Sequence, residues 1–92
     1  MVRKYNIKFG RHGRLHGLLL SPNITYPVPG VILCHGLGSG LGAVSSSALN
    51  IARQGIVALI FDFRGHGRSE GIFDGNGVED VVEAWQWLTH SH

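Results

Sequence analysis

Residues 56–71 read Ile56-Val57-Ala58-Leu59-Ile60-Phe61-Asp62-Phe63-Arg64-Gly65-His66-Gly67-Arg68-Ser69-Glu70-Gly71: six apolar residues that run into a loop punctuated by glycine. A short, continuous, partly β-branched apolar run is the pattern of a strand buried on both faces. The pattern has an earlier copy. Val31-Ile32-Leu33-Cys34 is a second apolar run, expected to be buried on both faces, and it passes directly into His35-Gly36-Leu37-Gly38-Ser39-Gly40-Leu41-Gly42. Between the two lies a helix predicted over 46–54. Ser45, Ser46 and Ser47 offer N-cap hydroxyls, Ala48, Leu49, Ile51 and Ala52 recur at helical spacing, and Gly55 stands where a left-handed residue ends a helix. Strand, helix, strand, helix, with both strands apolar on two faces, implies a parallel sheet with right-handed crossovers and helices on both sides.

Working outward, Tyr5, Ile7 and Phe9 alternate with polar residues, Gly10 to Gly13 interrupts, and Leu15 to Leu20 resumes, an antiparallel hairpin over 4–20. At the other end Asn76 and Glu79 have capping-box spacing, and Val78, Val81, Val82, Trp85 and Leu88 form a stripe that predicts a helix over 77–89, buried against the sheet. A further parallel strand is then owed beyond residue 92. The fold class is α/β, a lead-in hairpin followed by parallel strands with crossover helices, in one domain spanning 1–92 that reads as incomplete.

Composition sets the outer limits. The chain has 92 residues, 43% hydrophobic and 15% charged, a globular and rather apolar balance. Its formal charge is +2, yet five of its eight basic residues, Arg3, Lys4, Lys8, Arg11 and Arg14, fall in the first fourteen positions. No recognition motif or aromatic interleaving accompanies them, so they read as a charged strand edge and nucleic acid is not an expected partner. Cys34 is the single cysteine and the N-terminus has no apolar leader, which together point to the cytoplasm. The run 56–61 is far short of the roughly 20 residues that span a bilayer.

Both glycine-rich loops follow strands, at the carboxyl end of the sheet where open α/β folds bind ligands. Exposed backbone N–H groups there serve an oxyanion hole or a phosphate cradle. Gly38-x-Gly40-x-x-Ala43, with Asp62 ending the next strand, fits the dinucleotide pattern and carries the alternative reading of a Rossmann-type fragment. Against it, Gly42, Ala43 and the serines delay the helix. The P-loop pattern fails, because no lysine follows the glycines.

The second loop separates the two chemistries. Asp62-Phe63-Arg64-Gly65-His66-Gly67-Arg68-Ser69-Glu70-Gly71 resembles the D-x-R-G-x-G-x-S-x-G loop after the fourth strand of α/β-hydrolases. His35-Gly36-Leu37-Gly38 resembles their H-G-x-G oxyanion turn, in the expected order and spacing. The resemblance covers essentially the whole chain and is nearest to serine aminopeptidase-like hydrolases, acyl-ester hydrolases and monoacylglycerol lipase-like enzymes. It implies cleavage of an ester, amide or related acyl bond by nucleophilic attack, with no cofactor and no metal, on a small acyl or peptide-like substrate. It makes the Leu37 backbone N–H an oxyanion donor, with His35, Gly36 and Gly38 shaping the turn, and makes Asp62, Arg64, Gly65, His66, Gly67 and Ser69 loop supports. The nucleophile, serine or, in dehalogenase-like relatives, aspartate, would follow later, with its acid and histidine.

That nucleophile elbow, G-x-S-x-G at a strand-to-helix turn, is read as absent from the chain, which is therefore expected to be inactive alone. A third reading is a non-catalytic interaction module. Ser39 belongs to the oxyanion turn, and Ser69 is expected to bond its own loop's backbone. Asp62 is expected to pair with Arg64 or to cap backbone donors. Cys34 reads as a small core residue, and His35 as a hydrogen-bonded structural histidine. His12 and His16 have helical spacing inside a hairpin, which argues against a metal. His90 and His92 have no evident partner. The missing strand would leave the edge at 31–34 open, which implies self-association.

Overall fold

A computed structural model describes residues 1–23, 28–36, 38–75 and 77–91, with the backbone alone for His12 and Ser91. Strands β1 (Val2–Phe9) and β2 (Leu15–Pro22) form the antiparallel hairpin, closed by a 3₁₀ turn at Arg11–Gly13. β3 (Gly30–Leu33) is followed by a 3₁₀ turn at Leu41–Val44 and helix α1 (Ser45–Arg53), then β4 (Val57–Phe61) and helix α2 (Gly77–Ser91). The sheet order is β1-β2-β4-β3: β2 runs antiparallel to β4, and β3 runs parallel to it.

β4 sits inside the sheet, and all five of its residues are buried. Its side chains alternate between two cores. Val57, Leu59 and Phe61 join Phe9, Leu15, Leu19 and Ala84 beneath α2, and Ala58 and Ile60 join Leu20, Ala48 and Ala52 beneath α1. Each fully buried Leu, Ile or Phe contributes about 1.5–3 kcal/mol, against about 1 kcal/mol net for a ladder hydrogen bond. A one-residue slip would exchange the two faces, so side-chain burial holds the register. Phe9 and Phe61 meet edge to face, ring centres 5.6 Å apart, and lock the hairpin to the middle of the sheet.

The structure corrects three expectations. β3 is only half-buried, because it is the outer strand with a neighbour on one side alone. The serines are not N-caps: Val44 is the cap residue of α1, and the preceding 3₁₀ turn takes that role, with the Ser45 N–H and hydroxyl both donating to the Gly42 carbonyl. Gly55, at φ 90°, does end the helix. In α2 the buried face is centred on Asp80 and Ala84, while Val78, Val82 and Trp85 are 75%, 46% and 57% exposed. Three of the five stripe residues are therefore left uncovered, and only Val81 and Leu88 pack against the core. Asn76, half of the expected capping box, lies outside the described residues.

Candidate active site

The two glycine loops leave the carboxyl ends of the parallel pair β3 and β4 side by side. In the first, Ser39 N–H donates to the Gly36 carbonyl at 3.0 Å, closing a turn in which Gly38 has φ 79°, a conformation that favours glycine. Leu37, the expected oxyanion donor, lies outside the described residues. His35 is 7% exposed. Its Nδ1, 2.7 Å from the Gly36 carbonyl, takes the donor role, and its Nε2 accepts the Phe63 N–H at 3.1 Å. His66 repeats the arrangement from the other loop, with Nδ1 on the Arg64 carbonyl at 3.1 Å and Nε2 accepting the Gly38 N–H at 2.9 Å. The two histidines cross-staple the loops and have no ring nitrogen left for general-base work.

Asp62, 3% exposed, anchors the second loop. Its carboxylate accepts N–H groups from Leu41 at 2.7 Å and Arg68 at 3.2 Å, and stands 3.3 Å from His16 Nδ1. Of the two roles expected for it, capping of backbone donors is what the structure shows. Pairing with Arg64 is corrected: Arg64 turns away to Asp80 on α2. Asp80 Oδ2 accepts the Arg64 backbone N–H at 2.9 Å, and Oδ1 accepts Nε at 3.0 Å and Nη2 at 2.7 Å. Glu79 takes a further bond at 3.0 Å. These carboxylates, Asp80 first, hold the guanidinium above its ordinary range. Gly65 and Gly67 permit close approaches: a Cβ at Gly67 would fall 2.5 Å from the Asp62 carboxylate, and one at Gly65 would fall 2.8 Å from the Phe73 backbone nitrogen.

The reading that no G-x-S-x-G is present needs correction. Gly67-Arg68-Ser69-Glu70-Gly71 has that spacing, and Ser69, His16 and Asp62 come together in space. Their wiring is nevertheless that of a staple. Ser69 is buried, its hydroxyl donates to the Asp62 backbone carbonyl, and its oxygen accepts the backbone N–H of His16 at 2.9 Å, not a ring nitrogen. The His16 ring spans Asp62 and, through Nε2 at 3.3 Å, Asn6. The segment also lies in a loop that no helix immediately follows, unlike a nucleophile elbow.

Two further expectations change. Cys34 is exposed, because it lies just past the end of an outer strand, and partial burial pushes its thiol up. His90 has a partner, the Gln86 carbonyl one turn earlier at 2.8 Å; His92 lies outside the described residues. His16 is the residue that sequence reasoning missed, since its contact with Asp62 spans 46 positions and follows only from the β2–β4 pairing. Cys34, His35, Phe63, His66, Phe73 and Val81 line a mostly apolar pocket of about 400 Å³ beside the loops. Among the described residues no three His, Cys, Asp or Glu are grouped to hold a metal, and no helix is long and apolar enough to cross a membrane.

The profile of the family described as "Serine aminopeptidase, S33" matches residues 26–88, more than half of the chain. The chain belongs to that family. A "Monoglyceride lipase homolog" of monkeypox virus is 43% identical to it over a match covering 65% of this chain and 24% of that protein. "Protein K6" of vaccinia virus is 44% identical, over 52% of this chain and 59% of that protein. An α/β serine hydrolase homologue from Coxiella burnetii superposes with a TM-score of 0.73 at 29% identity, covering 97% of this chain and 46% of that one. This S33 chain thus has the α/β serine hydrolase fold and spans a quarter to three fifths of the lengths of these relatives. The dinucleotide reading loses its acid as well: Asp62, which would have to reach a ribose, is buried with its oxygens engaged.

Proposed function

We propose that this chain forms the oxyanion side of a serine hydrolase site for acyl esters, with the Leu37 backbone N–H as one donor and His35, Gly36 and Gly38 as its frame. One such donor contributes on the order of 3 kcal/mol to the stabilisation of a tetrahedral intermediate. The observation that carries the reading is the pair of histidine-to-backbone bonds, Phe63 N–H to His35 and Gly38 N–H to His66, which fix the glycine turn at the carboxyl end of β3. An ester is favoured over an amide because the monkeypox virus relative bears the name of a monoglyceride lipase homologue. Among the described residues no serine, histidine and carboxylate are wired as nucleophile, base and acid, so no triad-dependent turnover is expected of residues 1–92 alone. The free Cys34 thiol fits a reducing, cytoplasmic setting.

The test is a chimera in which residues 1–92 replace the matching segment of the Coxiella burnetii homologue, assayed with p-nitrophenyl acyl esters beside the 92-residue chain. The expected result is hydrolysis by the chimera and none by the chain alone. Turnover by the chain alone, or a soluble, folded chimera that is inert where the parent hydrolase is active, would contradict the proposal.

A further inference from the structure

We infer that His66 is a positioning residue that ties the turn after β3 to helix α2. The inference rests on the proposed function only for what the turn is used for; the physical link stands on its own contacts. Gly38 N–H points at the second loop and ends on His66 Nε2 at 2.9 Å. An imidazole can accept there only if its proton sits on Nδ1, and Nδ1 is 3.1 Å from a carbonyl, the Arg64 oxygen, that can only accept. The two contacts select one tautomer.

Arg64 continues the link. Its carbonyl receives His66, while its own N–H and guanidinium both end on Asp80, which is 1% exposed. A single residue thus has both peptide groups and its side chain fixed, one end by α2 and the other by the histidine. The His66 ring is held laterally as well, by His35 at 5.1 Å and edge to face by Phe73 at 5.3 Å. A shift of the first turn of α2 would therefore pass through Arg64 and His66 to Gly38. The Gly38 N–H is also consumed, so it is not a donor to substrate, and an oxyanion would have to use a neighbouring N–H of the turn.

The experiment is heteronuclear NMR on the ¹⁵N-labelled full chain. Long-range ¹H–¹⁵N correlations should show the His66 proton on Nδ1 and a bare Nε2; the opposite tautomer would overturn the proposal. The Gly38 amide should exchange with solvent roughly fivefold to tenfold more slowly than an unprotected amide, the protection given by one net hydrogen bond. His66→Ala should remove that protection and His66→Gln, whose side-chain carbonyl can accept, should restore part of it, while Leu59 and Ile60 amides in β4 stay as protected as before. Equal Gly38 exchange in the parent chain and the alanine variant would overturn the assignment. If the alanine variant also loses β4 protection, the tautomer and the glutamine variant decide. Asp80→Asn should lower Gly38 protection in part; no change there would sever the link to α2. Hydrolysis is not read in this experiment, so its failure and failure of the chimera are separate results.

Discussion

Gly67 is the residue at which backbone and site meet. At φ 50° an L side chain costs about 1–2 kcal/mol, and a Cβ there would also strike the Asp62 carboxylate and weaken its bonds to Leu41 and Arg68. Gly67→Ala should therefore cost about 2–4 kcal/mol in urea unfolding. Gly71 is the control, because its φ is 94° but its nearest neighbour would be the Arg64 Cβ at 3.8 Å; Gly71→Ala should cost only the conformational part. Equal losses would deny that the Asp62 contact matters. Cys34 gives a pH prediction. A raised thiol pKa means less thiolate at a given pH, so alkylation by iodoacetamide should have its midpoint above that of free cysteine. A lower midpoint would mean that a histidine activates Cys34. At this scale the sequence was only partly legible. The glycines and the Asp62-to-Gly71 motif mark the loops, but His16 reaches Asp62, and Arg64 reaches Asp80, through tertiary placement that no local spacing encodes.

Among the elements, β4 was readable because burial on both faces leaves an unbroken apolar run. β3 carries nearly the same pattern and is nevertheless half-exposed, since an apolar run reports what a strand is suited to and not how many neighbours it has. The stripe on α2 failed for the same reason. Its residues recur at helical spacing, but the sheet covers only the side bearing Asp80 and Ala84. Replacement along α2 should separate the two sides. Trp85→Gln should change stability by less than about 0.5 kcal/mol, whereas Ala84→Leu, at a fully buried position, should cost about 1–3 kcal/mol by overpacking. Thermal melts of both variants measure this, and a large loss at Trp85 would mean that the exposed face is covered in solution.

For the whole molecule, the two sheet edges differ. β1 carries exposed Arg3, Lys4 and Lys8, charges of the kind that keep an edge from pairing. The free edge of β3, Gly30–Leu33, carries none, and exposed Trp85 on α2 lines a cavity with Gly30 and Ile32. Self-association through β3 is the expected consequence, visible as a sedimentation coefficient that rises with concentration. Gly30→Lys adds a charge at an exposed edge position, where a Cβ would come nearest to a flexible Leu88 methyl at 3.3 Å and to the Val57 carbonyl at 3.7 Å, and should restore the monomer. A parent chain that stays monomeric at high concentration would contradict this.

This S33 chain has the fold of an α/β serine hydrolase, and its Ser69, His16 and Asp62 are wired as a staple. Intact-mass spectrometry after treatment with a fluorophosphonate, which reacts with activated serines, distinguishes a staple from a nucleophile at Ser69. The expected result is no adduct on the 92-residue chain under conditions that label an intact serine hydrolase fully. A stoichiometric adduct on Ser69 would overturn the staple assignment and make the G-x-S-x-G at 67–71 a working nucleophile.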